Sequence, residues 1–423
     1  MTTKIKKVWV TIEDKQYDIT EWVPRHPGGS TQFEHYNGRD MTDAYRAYHK
    51  KNTKADKILK SYYMNDVLET VNISSHLQDF RNLIDSLETD TDYHYYLVLT
   101  VALTGLMTLV VYCLLHSQVV LASIFLGFFW QQTMFIGHDA GHGAITHSKY
   151  DTLIGLFVGN VLNGVSIAWW NATHNVHHCA CNSIECDPDI QHMPLLAVSP
   201  KYFKSVHSMY HNRRLTFNSL AKRMVSIQHY TFYPIMAIAR FNLYLQSILL
   251  LITSKNLTKR RKMLEFFALG LYFTWYSALL SMIPSNGMKA AFVFISHVVG
   301  GIIHVQICLS HFSRNTFDGR PESNRWVDMQ LSGTMDIDCP PWMDWFHGGL
   351  QFQTEHHLVP KIPRHKLRKL RDEVVRPFCL KHNLPYYSSS FWQANVEVLN
   401  CLRKAAKESR MSEVYSHGMN LKG

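Results

Sequence analysis

The chain has 423 residues, a formal charge of +10 and an apolar fraction of 46%. That length allows more than one domain. No nucleic-acid motif accompanies the positive charge, which excludes a nucleic-acid partner and leaves basic loops that hold a membrane protein's orientation.

The first residues, Met-Thr-Thr-Lys-Ile-Lys-Lys, run at once into polar sequence and are not a signal peptide. Residues 1–70 read as a small soluble α+β domain. Val8–Ile12 and Gln16–Ile19 are expected strands joined at Asp14-Lys15, and Pro27-Gly28-Gly29 is an expected turn. Asp40–His49 has helical periodicity, with Tyr45 and Tyr48 on one face. Residues 71–92 form a polar, amphipathic connector, and residues 93–423 an all-α integral membrane domain.

Four uncharged runs have spanning length: residues 95–115, 117–137, 266–283 and 290–312. They pair as two helical hairpins. Thr152–Trp170 is also uncharged but carries Gly155, Gly159, Asn160, Asn163 and Gly164. Phe232–Ile252 holds Arg240 near its centre, which would cost several kcal/mol in mid-bilayer. Both are expected to lie in the interface. The far hairpin tips contain only Lys289, whereas the near side carries Lys201, Lys204, Arg213, Arg214, Lys222, Arg223 and the Lys259-Arg-Arg-Lys262 run. The near side is therefore expected to be cytosolic.

Three histidine clusters lie on that side: His138-Asp-Ala-Gly-His142, His174-Asn-Val-His177-His178 and Gln353-Thr-Glu-His356-His357. Spacings of three and four place each set on one helical face, so several neutral imidazoles can converge on two metal ions. If Thr152–Trp170 spanned, the first two clusters would lie on opposite sides, so two hairpins alone let all three share one site. His-Glu-x-x-His is absent, which weakens a zinc protease reading. His311, at the near end of the last span, is a further ligand candidate, while His304 divides evenly between ligand and hydrogen-bonded core histidine. His347 is a candidate for orienting a ligand, and His147 and His192 read as surface residues. Asp187-Pro188-Asp189 serves equally as a partner for ligand imidazoles or as a turn, and Trp169-Trp170 as an interface anchor. The eight cysteines form no disulfide framework, and the spacing of Cys179, Cys181 and Cys186 is a poor zinc signature, so they read as ordinary thiols in a reducing compartment.

His26-Pro-Gly-Gly29 and Asp43-Ala-Tyr-Arg-Ala-Tyr-His49, with Trp9-Val-Thr-Ile12 and Tyr17-Asp-Ile-Thr-Glu-Trp22, resemble a cytochrome b5 domain. The resemblance makes His26 and His49 the two axial ligands of haem b, which suits pure electron transfer. It also implies a segment before the first strand that this chain does not show there. A fused electron carrier needs an electron-consuming partner site, which argues for iron over redox-inert zinc.

From residue 6 to about 400 the chain resembles front-end desaturases, the membrane lipid desaturases fused to cytochrome b5. The sharpest matches are the first cluster, Trp169–His178, Asp187–Pro194 and Cys339–His357, with Gln353 opening the third cluster as the front-end hallmark. Arg214–Leu220 and Thr231–Met236 resemble the plant-type group of delta-6 acyl and delta-8 sphingoid desaturases. Val359 stands where the family commonly has Phe. The resemblance implies a di-iron centre held by His138, His142, His174, His177, His178, Gln353, His356 and His357, with His311 as an added candidate. It implies electrons from NADH through a separate cytochrome b5 reductase to the haem, and O2 as oxidant. The implied substrate is an acyl-CoA, a phospholipid acyl chain or a sphingoid base, with delta-6-like acyl desaturation first and delta-8 sphingoid desaturation second. The implied place is the endoplasmic reticulum membrane. A histidine-box lipid hydroxylase is the nearest rival; an anchored electron donor leaves the clusters unexplained, and a metal transporter would place its histidines within the spans.

Overall fold

A computed structural model describes residues 7–51, 53–67, 74–322 and 324–420, with residues 412–420 as backbone alone. Residues 1–6 and the first part of the connector, 71–73, lie outside the described residues.

The N-terminal domain holds a three-stranded antiparallel sheet in the order β1 (Trp9–Ile12), β2 (Lys15–Asp18), β3 (Tyr63–Asp66). The β1–β2 turn falls on Glu13 and Asp14, one residue before the expected place, with φ of 50° and 58°. Positive φ at both central residues is the primed hairpin turn that matches strand twist. Helices α1 (Thr31–Tyr36) and α2 (Thr42–Tyr48) follow, and His49 caps the end of α2 in extended conformation. The connector contains α3 (Ser75–Ser86), which buries Leu77, Phe80 and Ile84. These three side chains join Val10, Ile12, Phe33 and Tyr36 to Trp326, Leu331, Phe352 and Phe378 in one continuous core. The connector therefore fastens the N-terminal domain onto the rest of the chain.

Helices α4 (Tyr93–Leu115) and α5 (Val119–His142) form the first hairpin. The chain then turns sharply: a helical stretch over Tyr150–Leu162 and α6 (Ile167–Cys179) meet at 112°. Next come α7 (Gln228–Thr253), α8 (Lys259–Ser281), α9 (Asn286–Gly300) and α10 (Ile302–Leu309). Helices α5 and α9 cross at Gly127, where an added Cβ would lie 2.5 Å from that of Val299. Small residues at such crossings let apolar helices approach closely. Beyond the bundle, α11 (Trp326–Gly333), α12 (Gln353–Leu358) and α13 (Phe391–Asn420) close the histidine side.

Among the described residues, five helices are long and apolar enough to cross a membrane, one more than expected. The fifth is α7. Its first residue, Gln228, donates to Leu402 O at 2.8 Å and accepts from Ala197 N at 2.8 Å. Just past its other end, Asn256 donates to Ser30 Oγ of the N-terminal domain at 2.8 Å. Both ends thus contact elements of the histidine side. Its Arg240 is fully buried and held on one side: Nη2 donates to Asn163 O at 2.7 Å, and the guanidinium lies 4.3 Å from the Trp130 ring centre. The bend before α6 is pinned by Glu265, which accepts from Asn160 Nδ2 and Ser166 Oγ, each at 2.7 Å. Asn160, one of the residues that made Thr152–Trp170 a poor span, thus helps hold this bend.

Candidate metal centre and haem cleft

The last turn of α5 carries His138 and His142, α6 carries His174, His177 and His178, and α12 carries Gln353, His356 and His357. His311 follows α10. The fold brings these elements together and sorts their ligand atoms into two groups. His138, His142, His174 and His356 form one; His177, Cys181, His311 and His357 form the other; within each, the atoms lie within 4.8 Å of one another. His178 stands between them. Its Nε2 is 3.1 Å from Nε2 of His174 and 3.1 Å from Nε2 of His356, and its ring stacks on His357 at 4.1 Å. Gln353 is buried at the start of α12.

The residues fit two cations. Buried nitrogens of His138, His142, His178 and His357 have no hydrogen-bond partner, a costly state unless an ion takes their lone pairs. Facing imidazole nitrogens at about 3 Å are spaced as two ligands of one ion with bonds of about 2.1 Å. The opposite nitrogens are tethered. His177 Nδ1 donates to Asp187 at 2.8 Å, His357 Nδ1 to Gln330 at 2.8 Å and His311 Nδ1 to the Gly333 carbonyl at 3.3 Å. His174 Nδ1 faces Asp189 at 3.4 Å. Such partners fix the tautomer and raise ligand basicity. Burial, followed by neighbouring imidazoles, holds His178, His356 and His357 far below the usual histidine range, so they are neutral and ready to ligate. Burial lowers His177 too, but Asp187 and then Asp189 override it and lift it to about 9. That local balance favours a positive charge at Nε2.

Asp187 fills both roles the sequence left open. One oxygen takes His177, and the other accepts from Asp189 N at 2.8 Å to shape the turn. Cys181 lies on the Nδ1 side of His311, with Sγ 3.8 Å away, and its thiol also faces the Gly333 carbonyl. It packs behind that imidazole, and burial raises its thiol well above the usual range, which disfavours a thiolate ligand.

Several expectations need correction. Trp170 is a wall of the site and no mere interface anchor: its ring lies 5.3 Å from His138, 5.1 Å from His142 and 4.4 Å from His174. His304 is buried with neither nitrogen hydrogen-bonded, and it joins neither ligand group. His347 meets Gln306 at 3.4 Å in place of a cluster histidine. His192 is half-buried against Phe312, not a surface residue, whereas His147 is exposed. Asp139 of the first cluster serves structure: it accepts from Tyr96 OH at 2.8 Å and pairs with Arg364 at 3.1 Å. Gln330 and Gly333 carried no sequence signal, because only tertiary folding sets them against the clusters.

Gly141 lets α5 approach Trp170; an added Cβ would stand 2.1 Å from the indole ring. Gly141→Ala is expected to cost about 1–3 kcal/mol of stability by overpacking and to reduce iron content, read by thermal unfolding and metal analysis.

The N-terminal domain faces this centre. His26 and His49 present their rings at 6.2 Å between centres and 88° between planes. That separation leaves room for one metal ion with bonds of about 2 Å on each side. His26 Nδ1 lies 3.1 Å from Gly29 O, which accepts its proton and turns Nε2 toward the gap. Burial pushes His26 down to about 4 and holds His49 well below the usual histidine range, so both are neutral ligands. The cleft is held against α6: Asn175 Nδ2 donates to Gly28 O at 2.8 Å, and Tyr36 OH to Cys179 O at 3.0 Å. Haem fits between the two rings.

Residues 2–68 match the family described as cytochrome b5-like heme/steroid binding domain, and residues 114–390 match fatty acid desaturase. The chain is 42% identical to an acyl-lipid (9-3)-desaturase of Borago officinalis over 95% of its length and 91% of the relative's. It is 41% identical to a delta(8)-fatty-acid desaturase of Helianthus annuus, covering 95% and 89%. It is 33% identical to a delta 8-(E)-sphingolipid desaturase of Komagataella phaffii, covering 97% and 93%. With its paired histidine groups and fused haem cleft, the chain belongs to the fatty acid desaturase family, in the front-end group whose members carry a cytochrome b5 domain and a di-iron centre.

Proposed function

We propose that the chain introduces a double bond between the polar head and an existing double bond of a fatty acyl chain, in a delta-6-like position. The reading rests on one observation above all: two groups of unpartnered imidazole nitrogens flank His178 within a bundle of apolar helices. In this reading His138, His142, His174, His177, His178, His356 and His357 hold the two irons, with His311 and Gln353 completing the set. His26 and His49 hold haem b in a domain of residues 1–70, joined by 71–92 to a membrane domain of 93–423. The haem domain and metal centre face the cytosol from the endoplasmic reticulum membrane, and an NADH-dependent cytochrome b5 reductase supplies the electrons.

The bound irons would supply the oxidising power that removes two hydrogens from adjacent methylenes, with O2 reduced to water. The chain's own groups do the rest. Asp187, Asp189, Gln330 and Gly333 keep one nitrogen of each tethered imidazole directed inward. Trp170 and the buried helix faces exclude water from that space. Asp187→Ala is expected to lower iron affinity by about 10–100-fold, measured by chelator competition, with the haem spectrum unchanged.

A sphingoid base is the second substrate reading, supported by 33% identity along nearly the whole chain to a relative named a delta 8-(E)-sphingolipid desaturase. Expression in yeast with candidate fatty acids, followed by mass spectrometry of acyl chains and long-chain bases, separates the two. A new double bond in fed acyl chains supports the first reading; one confined to long-chain bases replaces it with the second. A hydroxylated product would overturn both.

A further inference from the structure

We propose that Tyr48 is the bridge through which an electron passes from the haem to the di-iron centre, an inference that rests on the site reading above. Tyr48 ends α2 and is peptide-bonded to His49. Its ring faces the metal centre, lying 6.2 Å from the His142 ring and 6.3 Å from that of His178. Both separations are ordinary for packed aromatic pairs. One side chain thus touches one histidine of the first ligand group and the histidine between the groups, while its backbone leads directly to a haem-ligand candidate.

The Tyr48 hydroxyl is buried and has no hydrogen-bond partner. Buried hydroxyls ordinarily find partners, so hydrogen bonding does not account for this side chain's position. The ring packs against the metal-centre imidazoles while its backbone joins His49, and an aromatic ring in van der Waals contact offers a continuous path where a shorter side chain would leave a gap. In the step proposed, the haem iron goes from Fe2+ to Fe3+ and one iron of the pair from Fe3+ to Fe2+. One electron moves, no bond forms or breaks, and Tyr48 ends unchanged.

A competing path runs from Gly28, beside His26, through its hydrogen bond to Asn175 of α6. That path ends on a side chain between His174 and His177 and touches neither imidazole in the described contacts. The Tyr48 path meets two rings directly and is the one we favour.

The test uses the full-length protein loaded with haem and iron in lipid nanodiscs, comparing wild type with Tyr48→Leu, Tyr48→Phe and Asn175→Ser. Three quantities are read: the haem spectrum and midpoint potential, the rate at which pre-reduced haem is oxidised on mixing with O2 and substrate, and the single-turnover product after direct dithionite reduction of both centres. Tyr48→Leu is expected to slow haem oxidation by about tenfold, the scale on which a lost positioned contact acts, with the spectrum, potential and dithionite-driven product retained. Tyr48→Phe keeps the wild-type rate. An unchanged rate in Tyr48→Leu overturns the bridge, as does slowing confined to Asn175→Ser. If Tyr48→Leu loses haem, Tyr48→Met is read by the same criteria. Failure of the underlying site reading shows differently: wild-type protein would then lack a bis-histidine haem spectrum or a dithionite-driven product.

Discussion

His178→Ala is expected to abolish desaturation, by at least about a hundredfold, while leaving the haem absorbance at its wild-type level. Among the described residues no other imidazole occupies an equivalent place. His178 Nε2 faces His174 and His356, both of the first group, at 3.1 Å each, and its ring stacks on His357 of the second. Removing it opens the wall between the two ion positions and strips each of a neighbour. His357→Ala, by contrast, takes a ligand candidate from one group only, yet it too is expected to abolish product. Iron analysis distinguishes them: His178→Ala loses metal from both positions, His357→Ala chiefly from one. Full product formation by His178→Ala would sink the metal-centre assignment.

The mirror result is expected of His26→Ala. Its imidazole is one of two rings 6.2 Å apart that bracket the haem position, and with one axial ligand gone the reduced-haem absorbance disappears. Activity driven by electrons delivered through the haem falls to a small fraction, whereas iron content stays near wild type. The two variants therefore exchange phenotypes: one keeps haem and loses iron, the other keeps iron and loses haem. Haem content unchanged in His26→Ala would refute that ligand choice.

The sequence made the site legible where chemistry repeats locally. Imidazoles at spacings of three and four declare a shared helix face before any fold is known, and His26 and His49 stand in two short motifs. Uncharged runs located four of the five long apolar helices. What stayed hidden depends on distant contacts. Helical spacing says that Trp170 and His174 share a face, yet it does not say that Gly141 opposes them. Gln330 looks like any polar residue on α11 until the fold sets it against His357. Arg240 marked its helix as an unlikely span, but its partner Asn163, at the bend before α6, lies far away in sequence. Apolar length alone qualified α7 as a fifth span; only the fold shows the contacts at its two ends.

The continuous core that joins the N-terminal domain, α3 and the C-terminal segment bears on how the enzyme is supplied. One desaturation draws two electrons from outside, and one haem stores a single electron. A donor swinging on a loose tether would solve this by leaving to be recharged and returning. Here Leu77, Phe80 and Ile84 bolt the donor in place, so the same haem is recharged where it sits, between the first and second delivery of each cycle. Whatever reduces the haem must come to the enzyme, twice per double bond.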